Sequence, residues 1–287
     1  MQRCLHILTG VTVLAVGTAF CSRGAAGPYA PPAGQSGNEA VAAATPIAWA
    51  TKVESLTRGP QSIANLKLGL ASFGVAGNAL GAANATTGNG TPVVSLGDGG
   101  QITVAFRWAI TDGPGADFAV FENGVTDTFL ELGFVEVSSN GSDFFRFDSV
   151  SLTPTDAQVG SFGALDTTNL DNLAGKYRAG FGTPFDLAEL AGVSALLDIS
   201  HVRYVRIVDV VGSIDPAYAT FDSQGHEVND PWPTAFASGG FDLDAVGVLN
   251  QVPEPSSLTL VAAAAVFCVG AGVARRHRWA TRRRARG

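Results

Sequence analysis

The stretch Gln101–Ile110, QITVAFRWAI, predicts the most regular element of the chain. Its bulky apolar side chains occupy every second position, and smaller or polar residues fill most of the positions between them. A period of two puts the two sets on opposite faces of an extended chain. We therefore predict a half-buried β-strand whose core face carries Ile102, Val104, Phe106, Trp108 and Ile110.

Other short stretches of this kind follow, separated by turns rich in Gly and Pro. Asn140-Gly141 predicts a hairpin between two of them, because Asn-Gly favours a tight β-turn. Only residues 183–190, TPFDLAEL, resemble a helix, with Thr183 as cap and Pro184 in the first turn. The sequence predicts an all-β domain over residues 46–251, an antiparallel β-sandwich of jelly-roll type with one short helix, and a barrel is the alternative. The further strands are expected within residues 117–124, 132–138, 143–150, 201–212 and 240–249.

Charge and cysteine content limit the possible functions of this domain. Residues 27–252 contain nine basic and 24 acidic side chains, which disfavours nucleic acid as a partner and favours cations. All three cysteines, Cys4, Cys21 and Cys268, lie outside these residues, so the domain cannot form an internal disulfide. An exported domain of this kind must depend on its core or on bound metal.

The N-terminal 26 residues have the order of a secretory signal peptide. Arg3 precedes an apolar run from about Ile7 to Phe20, and small residues end at Ala26. The alternatives are an uncleaved anchor and a lipoprotein at Cys21. Residues 27–45 are rich in Pro and Gly and are predicted to be a flexible segment that leads into the domain.

The C-terminal segment 252–287 combines three features in a fixed order. Val252-Pro253-Glu254-Pro255 is followed by the uncharged stretch 256–274, which is long enough for a transmembrane helix, and then by an Arg-rich end at 275–287. Arginines stay on the cytoplasmic side, so the acidic domain would lie outside. The alternative is an ordinary C-terminal membrane anchor, in which Pro-Glu-Pro only stops the helix.

This tail closely resembles the PEP-CTERM sorting signal of Gram-negative bacteria. The resemblance covers only about the last 36 residues. It implies recognition and removal of the tail by a membrane-embedded exosortase, in bacteria that make exopolysaccharide. The precursor is then expected in the inner membrane, and the processed protein at the outer surface or in the extracellular space.

Acidic residues within strand-like stretches suggest a calcium site. The alternation of residues 240–249 places Asp242 and Asp244 on one strand face with Val246 and Val248, and Phe241 and Leu243 on the other. Two aspartates on one face repel each other and are poor strand formers, so something should compensate for them. Calcium binds six to eight oxygen ligands in a flexible geometry. Solvated acids, or acids paired with arginine, would explain the same pattern. The candidate ligands are Asp112, Asp117, Glu122, Asn123, Asp209, Asp242 and Asp244.

Trp232 and Tyr218 are candidates for ligand binding. Trp232 lies between two prolines in the polar stretch NDPWPTAF, and Tyr218 precedes it in the same long connection. An exposed, rigid aromatic ring can stack on a sugar. The alternative is that Trp232 plugs one end of the domain.

Catalytic motifs are largely missing from the sequence. It has no Gly-x-Ser-x-Gly elbow, no phosphate loop and no zinc-protease pair at His226. We predict a non-catalytic, exported protein of the surface or matrix, with a binding or structural role toward exopolysaccharide. The alternatives are a secreted carbohydrate-active hydrolase that uses paired carboxylates, and a coat or spacer protein without a specific ligand.

Overall fold

The computed structural model describes residues 26–87 and 92–252. Their regular structure consists of antiparallel strands and four 3-10 helices, at Leu66–Leu68, Ala76–Ala79, Thr167–Asn169 and Leu187–Leu190, which confirms the predicted all-β class. The strands are β1 (Val41–Ala42), β2 (Ala48–Trp49), β3 (Lys52–Thr57), β4 (Val94–Ser95), β5 (Gln101–Ile110), β6 (Phe118–Glu122), β7 (Gly133–Ser138), β8 (Phe145–Arg146), β9 (Val150–Ser151), β10 (Leu170–Asp171), β11 (Phe181–Phe185), β12 (Val202–Asp209) and β13 (Asp242–Val248).

Two larger sheets share one hydrophobic core. One has the order β1-β11-β6-β13-β2, with β4 also paired to β13, and the other has the order β3-β5-β12-β7-β8. Strands β9 and β10 form a small separate pair. The first sheet contributes Phe118, Val120, Leu243 and Val246 to the core cluster, and the second contributes Val104, Val135, Val205 and Ile207.

The strand predicted from QITVAFRWAI is present with the predicted bounds, as β5. Ile102, Val104, Phe106 and Ile110 lie in the core cluster, whereas Trp108 is partly exposed and lies outside it. The cause is a register shift against β12, where Ile110 pairs with Val202 but Ala105 pairs with Tyr204. An irregularity in the ladder breaks the alternation of faces.

The predicted hairpin at Asn140-Gly141 is confirmed, because β7 pairs antiparallel with β8. Gly141 has φ +80, a left-handed conformation that glycine adopts without strain. The Asn140 side chain accepts hydrogen bonds from the backbone N–H groups of Ser142 and Asp143, both at 2.9 Å. These bonds fix the turn locally.

The predicted helix at residues 183–190 is wrong in its first half. Thr183 and Pro184 belong to β11, and only Leu187–Leu190 is helical, as a 3-10 turn. Asp186 caps this turn by accepting a bond from the Ala188 N–H at 2.9 Å. Strand β1 pairs only with Phe181 and Gly182, so Pro184 lies where β11 is an edge strand. An edge position tolerates proline, which cannot donate to a ladder.

The predicted shared face of Asp242, Asp244, Val246 and Val248 is also wrong. Leu243 pairs with Glu122 but Ala245 pairs with Phe121, so the register of β13 shifts at Asp244. Phe241, Leu243, Val246 and Val248 consequently all lie in the core cluster. A bulge adds one residue and reverses the faces beyond it, and sequence alternation alone does not reveal it.

Part of the Pro- and Gly-rich segment 27–45 contacts the domain. Val41 and Ala42 form β1, and the Tyr29 N–H donates to the Thr168 carbonyl at 3.0 Å. The predicted signal peptide, apart from Ala26, and the tail from Pro253 onward lie outside the described residues. Within the described ranges, no helix has the length and apolar character needed to cross a membrane.

Candidate functional site

Three carboxylates meet where β6 ends and β7 and β13 begin. Glu122 ends β6, Asp242 begins β13, and Glu131 lies two residues before β7. One oxygen from each carboxylate lies within 4.8 Å of the others. The pairing of Glu122 with Leu243 places the β6 and β13 acids next to each other. Glu122 and Asp242 are among the ligands predicted from the sequence, whereas Glu131 is not.

The three carboxylates differ in their hydrogen bonds. Asp242 accepts from the Ser95 hydroxyl and from the Asn123 side-chain amide, the latter at 3.0 Å. Glu122 accepts from the Gly124 N–H at 2.6 Å. Glu131 as a residue is partly exposed, but its side chain is buried in this group, and its carboxylate accepts no hydrogen bond from any described residue.

A second set of acids surrounds a narrow cavity next to the first. Its carboxylates belong to Asp98, Asp209, Asp230 and again Glu131, and the enclosed space is too tight to hold a free water molecule. Asp209 accepts from the N–H groups of Gly99 at 2.9 Å and Phe241 at 2.6 Å. Glu131 therefore links the two sets, which we call together the acidic seam: Asp98, Glu122, Glu131, Asp209, Asp230 and Asp242.

Two further acids of the seam hold loops to the sheets. Asp230 accepts from the Leu132 N–H at 2.9 Å, and Asp98 accepts from the Ile63 N–H at 2.7 Å. The described residues donate to only one oxygen of each carboxylate. The Trp232 indole N–H donates to the same Asp98 oxygen as the Ile63 N–H. Both residues are buried, and none of the hydrogen bonds of the described residues reaches the second oxygen of either carboxylate.

Burial perturbs every carboxylate of the seam. It raises the pKa of Glu122, Glu131, Asp209 and Asp230 well above the ordinary range, and repulsion from Asp242 adds to the effect at the two glutamates. Burial also raises the pKa of Asp242 to about 6, although Ser95, Asn123 and Arg58 favour its charged form. Protonation or a bound cation would relieve this repulsion.

No described basic side chain forms a salt bridge with the seam. The salt bridges of the described chain use other acids: Glu54, Asp127, Glu136 and Asp222. Arg58 lies near enough to influence Asp242, but its guanidinium donates to the backbone carbonyls of Phe73, Gly74 and Ser95. The seam therefore lacks the pairing that buried charges require.

Asp112 and Asp117 lie apart from the seam, in a group with Asp186 whose oxygens are within 4.8 Å of one another. Both Asp117 oxygens are already used: one accepts from Gly113 N–H and the Asn250 amide, and the other from Leu187 N–H, at 2.8 to 2.9 Å. Asp112 is exposed. Asp117 therefore has a structural role in fastening three segments together.

Asp244 also lies apart, at the bulge of β13. It accepts from the N–H groups of Asn84 and Ala85 at 3.1 to 3.2 Å, and burial raises its pKa to about 6. The structure thus divides the predicted ligands among several locations. Glu122, Asn123 and Asp242 lie together, Asp209 lies across the cavity, and Asp112, Asp117 and Asp244 are elsewhere.

Trp232 and Tyr218 pack against each other, with ring centroids 6.1 Å apart. Both rings are partly exposed. The Trp232 indole N–H donates to Asp98 at 3.1 Å, and the ring lines the acidic cavity. This arrangement favours the plug interpretation, because the ring covers the cavity and its polar atom is already bonded.

The chain matches no model of a known protein family. A comparison with curated proteins likewise finds no matching sequence. The candidate function therefore rests on the residues described above.

Asp117→Ala should destabilise the domain by about 1–3 kcal/mol or more, because three donors lose their buried acceptor. The exposed Asp112→Ala is the matched control and should stay within about 0.5 kcal/mol of the wild type. Denaturant unfolding measures both changes. Equal effects of the two substitutions would show that Asp117 does not act as a fastener.

Trp232→Ala should lower the melting temperature, because it uncovers the cavity and removes a donor from Asp98. The loss should be smaller than the roughly 3–5 kcal/mol of a fully buried tryptophan, since the ring is partly exposed. Trp232→Phe should recover part of the loss by restoring the ring. An unchanged melting point in Trp232→Ala would argue against the plug and for a role in binding.

Proposed function

We propose that this chain is an exported, non-catalytic protein of the cell surface or extracellular matrix, and that its β-domain is stabilised by calcium bound at the acidic seam. The observation that carries the proposal is the seam itself, six buried carboxylates without a basic partner among the described residues. We also propose that the two larger sheets form a jelly-roll type sandwich, which their shared core supports.

The ligand chemistry of the seam fits calcium better than a softer metal. Its donors are carboxylate oxygens, with the Asn123 amide beside Asp242, and the described seam contains no histidine or cysteine. One oxygen each from Glu122, Glu131 and Asp242 lies within 4.8 Å of the other two, so a small inward movement of these side chains would bring all three within a Ca–O distance of about 2.3–2.6 Å of one ion.

Glu131 provides a second observation that points to a ligand. Its carboxylate lies among like charges, and none of the hydrogen bonds of the described residues reaches it. A buried carboxylate without a basic partner is neutralised either by a proton or by a bound cation. A calcium ion would supply the missing partner and offset the repulsion across the seam.

The two ends of the chain suggest where this domain operates. The signal peptide predicted from the sequence supports export, and the resemblance of the tail to a PEP-CTERM signal suggests exosortase as a partner and the inner membrane as an intermediate location. An extracellular domain is exposed to a higher calcium concentration than a cytoplasmic one. It therefore does not need the high calcium affinity of a cytoplasmic sensor. Without a disulfide, the exported domain would depend on the ion for stability.

The alternative functions require different geometry. A glycosidase needs two carboxylates on either side of a space that admits a sugar. The seam carboxylates instead enclose a space too tight for a free water molecule, which favours an ion site over a sugar-cleaving site. A coat or spacer protein without a ligand could have the same fold, but that function would not explain why the acids of the seam are buried together.

Calcium should raise the melting temperature of the full-length protein by about 5–10 °C at a hundredfold excess over its Kd, which corresponds to about 2.7 kcal/mol. Magnesium, or sodium at matched ionic strength, should have much smaller effects. In chelator, Glu131→Gln should leave the protein as stable or more stable, because it removes repulsion without breaking a described hydrogen bond.

The same Glu131→Gln protein should lose most of its response to calcium, and Asp242→Asn should behave similarly. Asp112→Asn, an exposed acid outside the seam, is the control and should keep the full response. Equal stabilisation by all three salts, or an undiminished response in Glu131→Gln, would rule out calcium at the seam.

The sorting tail is tested separately by intact-mass measurement. Mature protein from the native cells should lack residues 275–287, and Glu254→Ala should leave the precursor in the membrane. Finding the complete arginine end on the stable product would instead support an ordinary membrane anchor.

A further inference from the structure

The outer face of the five-stranded sheet is distinct from the rest of the domain. Residues at alternate positions of its strands, such as Val104, Val135 and Ile207, point into the core cluster. The intervening residues form rows across the sheet, because each of them is paired with a residue of the neighbouring strand. One row comprises Ser55, Thr103, Arg206, Glu136 and Arg146, and the next comprises Lys52, Ala105, Tyr204 and Ser138.

Basic residues concentrate on this sheet. Its strands carry five of the nine basic residues found between positions 27 and 252, but besides Asp209 of the acidic seam they carry only two acids, Glu54 and Glu136. The rest of the domain is strongly acidic. This outer face is therefore a positively charged exception on an otherwise negative domain, and the five basic residues are Lys52, Arg107, Arg146, Arg203 and Arg206.

A polar groove of about 400 Å³ lies on this face, within the usual size range of ligand sites. The edge strand β3 lines it on one side through Glu54 and Ser55, and the β7–β8 connection lines it on the other. Phe144, Tyr204 and Arg206 also line the groove, and all three are partly exposed. Aromatic faces and polar groups that can donate and accept hydrogen bonds are thus combined in one open site.

Arg206 is held in place for recognition. Its guanidinium lies 3.9 Å from the Phe144 ring centroid, and its Nε donates to Glu136 at 2.5 Å. Arg146 binds the other Glu136 oxygen at 2.7 and 2.9 Å and lies over Phe134. Two arginines share one glutamate, so a positive charge remains. A guanidinium has five N–H donors, and Glu136 does not use them all.

The irregular pairing of β12 with β5 adds a further cation to this face. Val202 and Val205 both lie in the core cluster, so Arg203 and Tyr204 are both displaced from it. Arg203 is exposed and forms no salt bridge with a described residue. It is therefore available to an anionic ligand that lies along the groove.

We propose that this groove binds a polysaccharide that carries carboxylate groups, such as a chain of uronic acids. Phe144 and Tyr204 would pack against sugar rings, while Arg206 and Arg203 would bind the carboxylates. Spaced carboxylates suit a few separated arginines, whereas the closely spaced phosphates of nucleic acid would meet the negative remainder of the domain. The proposal rests on the proposed exported, non-catalytic role at the cell surface or in the extracellular matrix, and it gives that role a ligand and a site.

The test is calorimetric titration of the full-length protein, in millimolar calcium, with galacturonate oligomers and with glucose oligomers of equal length. We expect the acidic oligomers to bind and the neutral ones not to, with affinity that falls as salt increases. Arg206→Gln should weaken binding about tenfold or more, in line with loss of one charge-assisted hydrogen bond. Tyr204→Ala should weaken binding as well.

Lys67→Gln is the matched control, because it removes one exposed positive charge away from this sheet. It should bind like the wild type. If Arg206→Gln fails to fold, as judged by its melting curve, the exposed Arg203→Gln replaces it and should weaken binding.

Several results would overturn the proposal: no binding of acidic oligomers, equal binding of neutral ones, equal loss in Lys67→Gln, or tighter binding of single-stranded DNA. None of these results bears on calcium stabilisation or on removal of the tail. Failure of this site can therefore be distinguished from failure of the proposed function.

Discussion

The domain is held together by buried carboxylates that accept hydrogen bonds from backbone N–H groups far away in the sequence. Asp209 joins the turn before β5 to the start of β13, Asp230 holds the approach to β7, and Asp117 joins the loop after β5 to the turn at Leu187. Asp98 and Asp244 do the same for two long loops. In a β-protein with short strands and no disulfide among its described residues, these bonds do the work of cross-links.

This way of fastening loops has an electrostatic consequence. Each acid satisfies buried backbone donors, which would otherwise be costly, but several acids converge where the loops meet the sheets. The acidic seam is the result: burial raises the pKa values of Glu122, Glu131 and Asp242, and repulsion from Asp242 adds to the effect at the two glutamates. Local hydrogen bonding alone cannot remove that repulsion, because it fixes the carboxylates close together. A shared cation would relieve the repulsion while the carboxylates keep both their hydrogen bonds and their negative charge.

The sequence predicts the structural features that depend on neighbouring residues. It does not predict those that depend on contacts between residues far apart in the chain. Alternation defined β5, and Asn140-Gly141 defined the hairpin, because both signals are local. The bulge at Asp244 and the edge position of Pro184 depend on partner strands, so the faces of β13 and the helix at 183–190 were predicted incorrectly. Glu131 gave no local signal, since an acid beside Leu132 and Gly133 resembles an ordinary loop residue. Only the packing of β6, β7 and β13 brings it to Glu122 and Asp242.

Negative and positive charges are segregated in this domain, and the segregation separates stability from recognition. The seam is buried between loops and sheets, whereas the cations of the five-stranded sheet face outward. A cation bound in the seam would change the free energy of unfolding, but it would leave the charges of Arg203 and Arg206 in place. Conversely, a polyanion on the outer face would neutralise cations that the core does not need. Among the described residues, the acids of the seam form no salt bridge with the basic residues of the five-stranded sheet. Either set can therefore be removed by mutation without leaving the other set as unpaired buried charges.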